Sequence, residues 1–193
     1  MAQSTGTNKI KTAVFFSGNG SNLKSLIKFS HKKRSPISIE IIITNNPKAK
    51  GLKFGKIFKI KNKSINYKNK YLAEKKIFLE LKKCNIKLIC LAGFMKIISK
   101  NFIKKFKGKI INIHPSLLPK YKGLRTHERV IRNNEKFSGC TVHFVNAKLD
   151  SGKIILQKKV RISKKDTPNI LAKKILVQEH KIYPRAIMKI ISL

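Results

Sequence analysis

The chain has 193 residues, which is enough for one well-buried domain and short for two. Hydrophobic residues make up 41% and charged residues 27%, a balance typical of globular proteins, and each apolar run is far shorter than the roughly 20 residues of a membrane span. The charge is extreme, with 45 basic against 8 acidic residues and a formal value of +37. Since no signal-peptide pattern is visible either, we expect a cytoplasmic protein with no membrane partner.

The excess of basic residues raises the possibility of nucleic-acid binding. Nearly all of them are lysines spread over the entire chain, whereas arginine is the residue that contacts phosphates and bases in bidentate geometry. We therefore expect a solvated lysine surface with non-specific affinity for polyanions and no specific nucleic-acid partner. A basic nucleic-acid-binding module stays open as an alternative from a different functional class.

Hydrophobic spacing predicts alternating strands and helices along the chain. Residues 1–9 are small and polar, so we expect a flexible tail followed by one domain over residues 10–193. Runs rich in β-branched and aromatic residues predict strands near 10–18, 37–44, 58–60, 87–93, 109–114, 139–145 and 153–162. Apolar residues at helical spacing predict helices near 23–33, 49–56, 71–83, 100–106 and 167–191.

The order of these elements predicts the fold class. Alternation of strand and helix up to residue 114 implies right-handed crossovers and parallel strands. The last two strands alternate in polarity and lie close in sequence, which favours antiparallel pairing. We predict one α/β domain: a doubly wound, mostly parallel sheet with helices on both faces and antiparallel C-terminal strands. Ligands of such sheets bind at the carboxyl ends of the strands.

The loop after the first strand reads SGNGSN and contains Gly20, Ser21 and Asn22. Its glycines let backbone amides approach an anion, and the helix that follows adds the positive end of its dipole, so the loop could hold a phosphate. Leu23 occupies the third glycine position of the dinucleotide fingerprint, which excludes that motif. A tight turn followed by an ordinary Ser or Asn N-cap explains the loop equally well.

Three polar residues form a candidate catalytic group. Asn112 and His114 lie two apart at the end of a strand and so point to one face, where an amide and an imidazole could polarise a carbonyl. Asp150 follows in a loop between two strands and is one of only two aspartates in the chain. A carboxylate can hold an imidazole cationic or orient it. A structural histidine and a turn aspartate are the alternatives.

Six segments carry a family resemblance that extends from about Lys11 to Pro184. In order they are SGNGSN, LAGFMKIIS, INIHPSLLPKYKG, TVHF, LDSGKIILQ and QEHKIYP. Together they resemble the phosphoribosylglycinamide formyltransferases among the enzymes that use 10-formyltetrahydrofolate. The GNGSN loop and the GLRTH segment favour the glycinamide enzyme over other formyltransferases with an SLLP segment.

The resemblance implies roles for individual positions. The implied catalytic residues are Asn112, His114 and Asp150. The implied substrate contacts are the phosphate loop Gly20, Ser21 and Asn22 and the ribose ligand Glu179. The implied folate contacts are Lys70, Met95, Lys96, Ile97 and Ile98. It also implies a cis bond between Leu118 and Pro119, and places Leu176 where relatives often have a glutamine that contacts the ribose.

The expected reaction is transfer of the formyl group of 10-formyltetrahydrofolate, used as co-substrate, to the amine of glycinamide ribonucleotide in de novo purine biosynthesis. The products would be formylglycinamide ribonucleotide and tetrahydrofolate, made without a metal by a monomer or weak homodimer. Formyltetrahydrofolate hydrolase and methionyl-tRNA formyltransferase are alternatives that would use the same trio. The tRNA enzyme would need a further C-terminal nucleic-acid-binding domain, and we expect none after the last helix.

Overall fold

The computed structural model describes residues 9–192, which form one seven-stranded sheet with surrounding helices. The strands are β1 (Ile10–Phe16), β2 (Ile37–Thr44), β3 (Lys61–Ser64), β4 (Leu88–Leu91), β5 (Lys109–His114), β6 (Phe137–Phe144) and β7 (Ile154–Arg161). The helices are α1 (Ser21–Ser30), α2 (Leu52–Ile57), α3 (Lys70–Lys83), α4 (Lys100–Lys105), α5 (Thr126–Arg132) and α6 (Pro168–Ile191). Of the expected tail, residues 1–8 lie outside the described residues.

The strand order is β3-β2-β1-β4-β5-β6-β7. Strands β1 to β5 run parallel, while β6 pairs antiparallel with β5 and β7 pairs antiparallel with β6. Because β1 lies between β2 and β4, the chain winds outward from β1 in both directions, which opens a crevice at the carboxyl ends of β1 and β4. The prediction of a doubly wound, mostly parallel sheet with antiparallel C-terminal strands is confirmed.

Two hydrophobic clusters cover the two faces of the sheet. On one face, β1 contributes the buried Val14 to a cluster with residues of α1 and α6. On the other face, the neighbouring Phe15 packs with Ile77 of α3 and Phe102 of α4. Alternate side chains of one strand therefore enter different clusters, as they must in a strand covered on both sides.

Two details differ from the prediction. The strand predicted over 58–60 is wrong: Phe58 ends α2, Lys59 has a left-handed φ of 53°, and the strand begins at Lys61. All four residues of β3 are exposed, because an edge strand that pairs only with β2 needs no apolar face. The seven-residue helix α5 has only two buried residues, Thr126 and Val130, and no predicted helix corresponds to it.

Helix α6 spans 24 residues from Pro168 and is capped by Thr167, whose side chain accepts a hydrogen bond from the Ile170 amide. The fully buried Tyr183 hydroxyl donates to the carbonyls of Leu91 and Ile111, at 2.9 and 3.2 Å, and so ties the helix to β4 and β5. This contact fixes α6 beneath the carboxyl ends of the central strands. None of the helices in the described chain is both long and apolar enough to span a membrane.

Candidate active site

The crevice at the centre of the sheet is closed at its base by contacts between the loops after β1 and β4. The Ser17 amide donates to the Gly93 carbonyl at 3.0 Å, and the Ser17 hydroxyl accepts a hydrogen bond from the Met95 amide at 2.8 Å. These bonds hold the predicted phosphate loop and the predicted folate strip side by side. The two segments therefore border one crevice, as the rule for open parallel sheets predicts.

The phosphate loop leads directly into α1. Gly20 has φ 73° and ψ 30° at the N-cap, a left-handed conformation that favours glycine, and an added Cβ would lie 2.9 Å from the Gly51 Cα. Within the described chain, no side chain caps this helix. The alternative of an ordinary Ser or Asn N-cap is therefore wrong. The first amides of α1, including that of Ser21, stay available to an anion.

The Asn22 side chain joins α1 to α6 instead of capping its own helix. Its Nδ2 donates to Glu179 Oε2 at 2.6 Å, and both side chains are buried. Burial raises the pKa of Glu179, and the hydrogen bond from Asn22 offsets part of this effect. Asn22 Oδ1 has no hydrogen-bond partner among the described residues. The pair thus offers a polar, hydrogen-bonding surface next to the helix N-terminus.

Asn112 faces a histidine that was not among the predicted site residues. It pairs with His143 across β5 and β6, and Asn112 Nδ2 lies 3.3 Å from His143 Nε2. His143 Nδ1 lies 2.8 Å from the Phe144 carbonyl oxygen, so this nitrogen carries the hydrogen and Nε2 accepts one from Asn112. Burial lowers the pKa of His143, which favours the neutral ring near pH 7. The only sequence signal for His143 is its place in the TVHF segment of the family resemblance.

His114 and Asp150 form a buried pair, as predicted. His114 Nδ1 lies 3.4 Å from Asp150 Oδ2, and both side chains are less than a tenth exposed. The other imidazole nitrogen, Nε2, donates to the Tyr121 carbonyl oxygen at 2.8 Å. Asp150 Oδ1 lies 3.7 Å from His143 Nε2, and Asp150 Oδ2 accepts from the Gly123 amide at 2.9 Å. The carboxylate therefore lies between two imidazoles.

The loop between β6 and β7 holds Asp150 in place. Asp150 itself has a left-handed φ of 44°, and Lys122 Nζ donates to the Ser151 hydroxyl next to it at 2.6 Å. An added Cβ at Gly152 would lie 1.7 Å from the Phe144 carbonyl oxygen, so the chain can close this turn only with glycine. Backbone strain at Asp150 is thus maintained by its surroundings, as is common at functional sites.

Thr141 pairs with His114 across the sheet and fixes the loop after His114 by hydrogen bonds. The buried Thr141 hydroxyl donates to the Ser116 carbonyl at 2.6 Å and accepts from the Leu118 amide at 3.1 Å. Gln157 Nε2 donates to the Leu118 carbonyl at 2.8 Å and to Thr141 Oγ1 at 2.9 Å. The peptide bond from Leu118 to Pro119 is cis, as the resemblance implied.

The predicted folate residues divide into two groups. Met95, Lys96 and Ile97 are exposed at the crevice, while Ile98 is buried in the core that includes Phe102. A side-chain contact from Ile98 to a ligand in the crevice is therefore excluded, and only its backbone could serve.

Lys70, the remaining predicted folate residue, lies exposed in the first turn of α3. The Tyr67 ring packs edge-on against Phe94 at 5.6 Å, which brings the segment before α3 next to the strip 95–97. Among the described residues, no contact of the Lys70 side chain itself is seen, so its role toward folate stays a prediction.

Comparison with known proteins identifies the family. A family model described as formyl transferase matches residues 10–187. The phosphoribosylglycinamide formyltransferase of Haemophilus influenzae is 41% identical over 180 residues, which cover 92% of this chain and 85% of that protein. The crystal structure of phosphoribosylglycinamide formyltransferase from Brucella melitensis superposes with a TM-score of 0.90 at 35% identity, covering 95% of this chain and 96% of that one.

Longer relatives contain the same domain as one part. The trifunctional purine biosynthetic protein adenosine-3 of Homo sapiens is 41% identical over 187 residues, which cover 95% of this chain. The chain spans 18% of the length of that protein. Since the family model and the bacterial relatives match nearly the whole described domain, the chain belongs to the formyl transferase family.

Proposed function

We propose that this chain, through its domain at residues 10–193, transfers the formyl group of 10-formyltetrahydrofolate to the amine of glycinamide ribonucleotide. The observation that carries the proposal is the buried His114–Asp150 pair beside Asn112, at the same sheet edge as the uncapped N-terminus of α1. The first group suits acyl transfer, and the second suits a phosphorylated acceptor.

In the reaction, the substrate amine attacks the formyl carbon and a new C–N bond forms while the carbonyl oxygen becomes an oxyanion. Asn112 Nδ2 has two hydrogens, and the neutral His143 accepts one of them. The second hydrogen stays free for the oxyanion. A donor fixed in this way is worth about 10²–10³ in rate, because it needs no reorganisation as charge develops. The bond from the formyl carbon to the folate nitrogen then breaks.

The role of His114 is sharpened by its contacts. Both imidazole nitrogens already have protein neighbours, Tyr121 on one side and Asp150 on the other. A cationic His114 can therefore stabilise the oxyanion by charge from its present position, while direct donation requires it to leave one neighbour. Asp150 accepts a proton from the attacking amine, directly or through water. The folate nitrogen takes up a proton as its bond to the formyl carbon breaks.

The acceptor is recognised by its phosphate and ribose. The amides of Gly20, Ser21 and Asn22 lie at the positive end of α1, where an anion is favoured by roughly 0.3–1 kcal/mol. Glu179, held by Asn22, supplies a carboxylate that can accept from two vicinal hydroxyls. The exposed Met95, Lys96 and Ile97 support a folate co-substrate on the other side of the crevice, and we expect Lys70 to contact it as well.

Related reactions make different demands on the same trio. A formylfolate hydrolase needs only water as acceptor, and a methionyl-tRNA formyltransferase needs a surface for tRNA. The uncapped helix and the Asn22–Glu179 pair favour a small phosphorylated ribose compound over both. We expect the reaction to take place in the cytoplasm, with no specific nucleic-acid partner and with the enzyme as a monomer or weak homodimer, which analytical ultracentrifugation can measure.

The test is a panel of acceptors offered to the purified protein with 10-formyltetrahydrofolate. Rapid loss of the formyl group with glycinamide ribonucleotide, and a rate at least about 10²-fold lower with water or methionyl-tRNA, supports the proposal. A Ser21→Asp variant, which places a negative charge at the helix N-terminus, should raise KM for the ribonucleotide by about tenfold or more through repulsion of the phosphate. Equal rates with water and with the ribonucleotide as acceptors would refute the proposed function.

A further inference from the structure

The segment from Tyr121 to Arg125 contacts both His114 and Asp150 through its backbone. The Tyr121 carbonyl accepts from His114 Nε2 at 2.8 Å, and the Gly123 amide donates to Asp150 Oδ2 at 2.9 Å. One bond thus goes to each member of the buried pair. The relative position of the imidazole and the carboxylate therefore depends on where this segment holds one carbonyl and one amide.

The segment has an unusual backbone conformation. Tyr121, Gly123 and Arg125 have left-handed φ values of 57°, 78° and 53°. Every second residue from 121 to 125 therefore lies in a region that residues other than glycine rarely adopt. Such a conformation persists only where the surrounding structure holds it. We therefore looked for side chains outside the segment that bind its backbone.

Arg129, in helix α5, is such a side chain. Its Nη1 donates to the Lys122 carbonyl at 2.7 Å and lies 3.4 Å from the Leu124 carbonyl oxygen, so one guanidinium binds the carbonyls on both sides of Gly123. The guanidinium carbon also lies 5.3 Å from the centre of the Tyr121 ring. Within the described chain, Arg129 forms no hydrogen bond with the trio, so any effect on the trio passes through the segment.

The Tyr121 side chain provides a second anchor for the same segment. Its hydroxyl donates to Glu135 Oε1 at 2.9 Å and accepts from Asn133 Nδ2 at 3.0 Å. Both partners directly follow α5, the helix that contains Arg129. The end of α5 is thus connected at two points to the segment that contacts the trio.

We propose that Arg129 is a positioning residue: it fixes segment 121–125 and, through this segment, the geometry of the buried imidazole–carboxylate pair. The proposal rests on the proposed function, because it assigns a residue outside the trio to the same reaction. Loss of Arg129 removes no predicted substrate contact, but it frees the carbonyl and the amide that hold the pair. A displacement of about 1 Å in a reacting group can lower the rate by about 10²-fold.

Steady-state kinetics of Arg129→Ala with 10-formyltetrahydrofolate and glycinamide ribonucleotide measure this effect. The kcat should fall about tenfold or more while each KM changes less than about threefold, since the substrate contacts are untouched. Arg129→Lys should lose less than about threefold in kcat, because an ammonium group can still donate to a carbonyl. Arg132→Ala removes the same charge from an exposed position of α5 and should keep kcat within about twofold of the wild type.

The imidazole hydrogens give a second readout that does not require formyl transfer. His114 donates its Nε2 hydrogen to the segment, whereas His143 donates its Nδ1 hydrogen to the Phe144 carbonyl. NMR of ¹⁵N-labelled protein should show that Arg129→Ala speeds solvent exchange of the His114 hydrogen at least about tenfold and leaves the His143 hydrogen unchanged. A general loss of stability would speed both. Tyr121→Phe removes the second anchor and should also act on His114 alone, which keeps the proposal testable if Arg129→Ala folds poorly.

Three results would overturn the proposal: wild-type kcat in Arg129→Ala, an equal loss in Arg132→Ala, or exchange at His114 that neither Arg129→Ala nor Tyr121→Phe changes. The proposed function fails separately, if the wild-type protein itself transfers no formyl group. In that case the exchange measurement still decides whether Arg129 positions His114.

Discussion

Asp150 combines an unusual backbone with three close polar neighbours. Its φ is left-handed, its Oδ2 accepts from the Gly123 amide, and its two oxygens lie 3.4 and 3.7 Å from the imidazoles of His114 and His143. A turn aspartate with a structural role alone would need only the backbone contact. Its position between two imidazoles, at a site closed by Gly152, favours a role in proton transfer.

Replacing Asp150 with asparagine should therefore lower kcat by about 10²–10⁴ with a change in KM of only a few fold. The amide keeps the shape of the side chain and can still accept from Gly123, but it carries no charge and cannot take a proton. Steady-state kinetics of the variant measure the effect. Asp166→Asn is the control, since the Asp166 carboxylate pairs with Lys174 at 2.7 Å and accepts from the Ser163 amide, and within the described chain it contacts no member of the trio. Undiminished kcat in Asp150→Asn would exclude the assigned role.

Glu179 has a buried carboxyl group close to the N-terminus of α1. Its pKa is raised because burial disfavours the charged form. Glu179→Gln keeps an acceptor for Asn22 and removes the buried charge, so urea denaturation at pH 7.5 should show an unfolding free energy equal to or above that of the wild type. In the same variant, KM for the ribonucleotide should rise about tenfold, because hydrogen bonds to a charged acceptor are the stronger ones. A loss of stability with unchanged KM would assign Glu179 a purely structural role.

At the scale of elements, the site depends on how β5 and β6 pair. The antiparallel register places His143 opposite Asn112 and Thr141 opposite His114. Thr141 then holds the loop 115–120 through its hydroxyl, and this loop leads to the Tyr121 carbonyl that binds His114. One strand pair thus positions Asn112 and His114, the two side chains proposed to stabilise the oxyanion, and the segment that contacts His114.

Thr141→Val should destabilise the protein by about 2 kcal/mol, because it leaves the buried Ser116 carbonyl and Leu118 amide without their partner at nearly constant volume. Chemical denaturation monitored by circular dichroism measures this change. Gln157→Leu, at an exposed position, removes one donor from the same network and should cost about 0.5–1 kcal/mol. Equal losses in the two variants would show that the Thr141 hydroxyl has no special role.

The elements that the sequence predicts well are those with a buried face. Strands β2 and β5 occur at the predicted residues because their isoleucines mark them as covered strands. The edge strand β3 escaped prediction since none of its four residues is buried, and the short α5 buries too few to leave a periodic pattern. His143 was missed for another reason: its role depends on strand register, which a single strand does not encode.

Across the whole molecule, buried and partly buried histidines contribute to the response of stability to acid. Burial lowers the pKa values of His127, His143 and His180 below the ordinary 6.5. The unfolded chain therefore binds more protons than the folded one below about pH 6.5, and the unfolding free energy should fall as the pH decreases from 6.5 toward the folded-state values. Protonation of Glu179, whose pKa is raised, acts in the opposite direction and limits the loss.

Comparison of His180→Gln with the wild type isolates this effect, since both carry Glu179. The unfolding free energy of the wild type should decrease more between pH 7.5 and 5.5 than that of the variant, because the buried Nε2 of His180 has no partner among the described residues to stabilise its charge. His31→Gln, at an exposed position, serves as control and should retain the wild-type slope. A slope in His180→Gln as steep as in the wild type would contradict the assignment.

We propose that Asn112, His114 and Asp150 together promote formyl transfer to glycinamide ribonucleotide. The most direct measurement follows a ¹³C-labelled formyl group from 10-formyltetrahydrofolate by NMR in the presence of the purified protein. We predict that the label appears on the amine of the ribonucleotide, and that His114→Ala slows its appearance by about 10²-fold or more. Label that stays on the folate or is released as formate, or a His114→Ala variant as fast as the wild type, would contradict the claim.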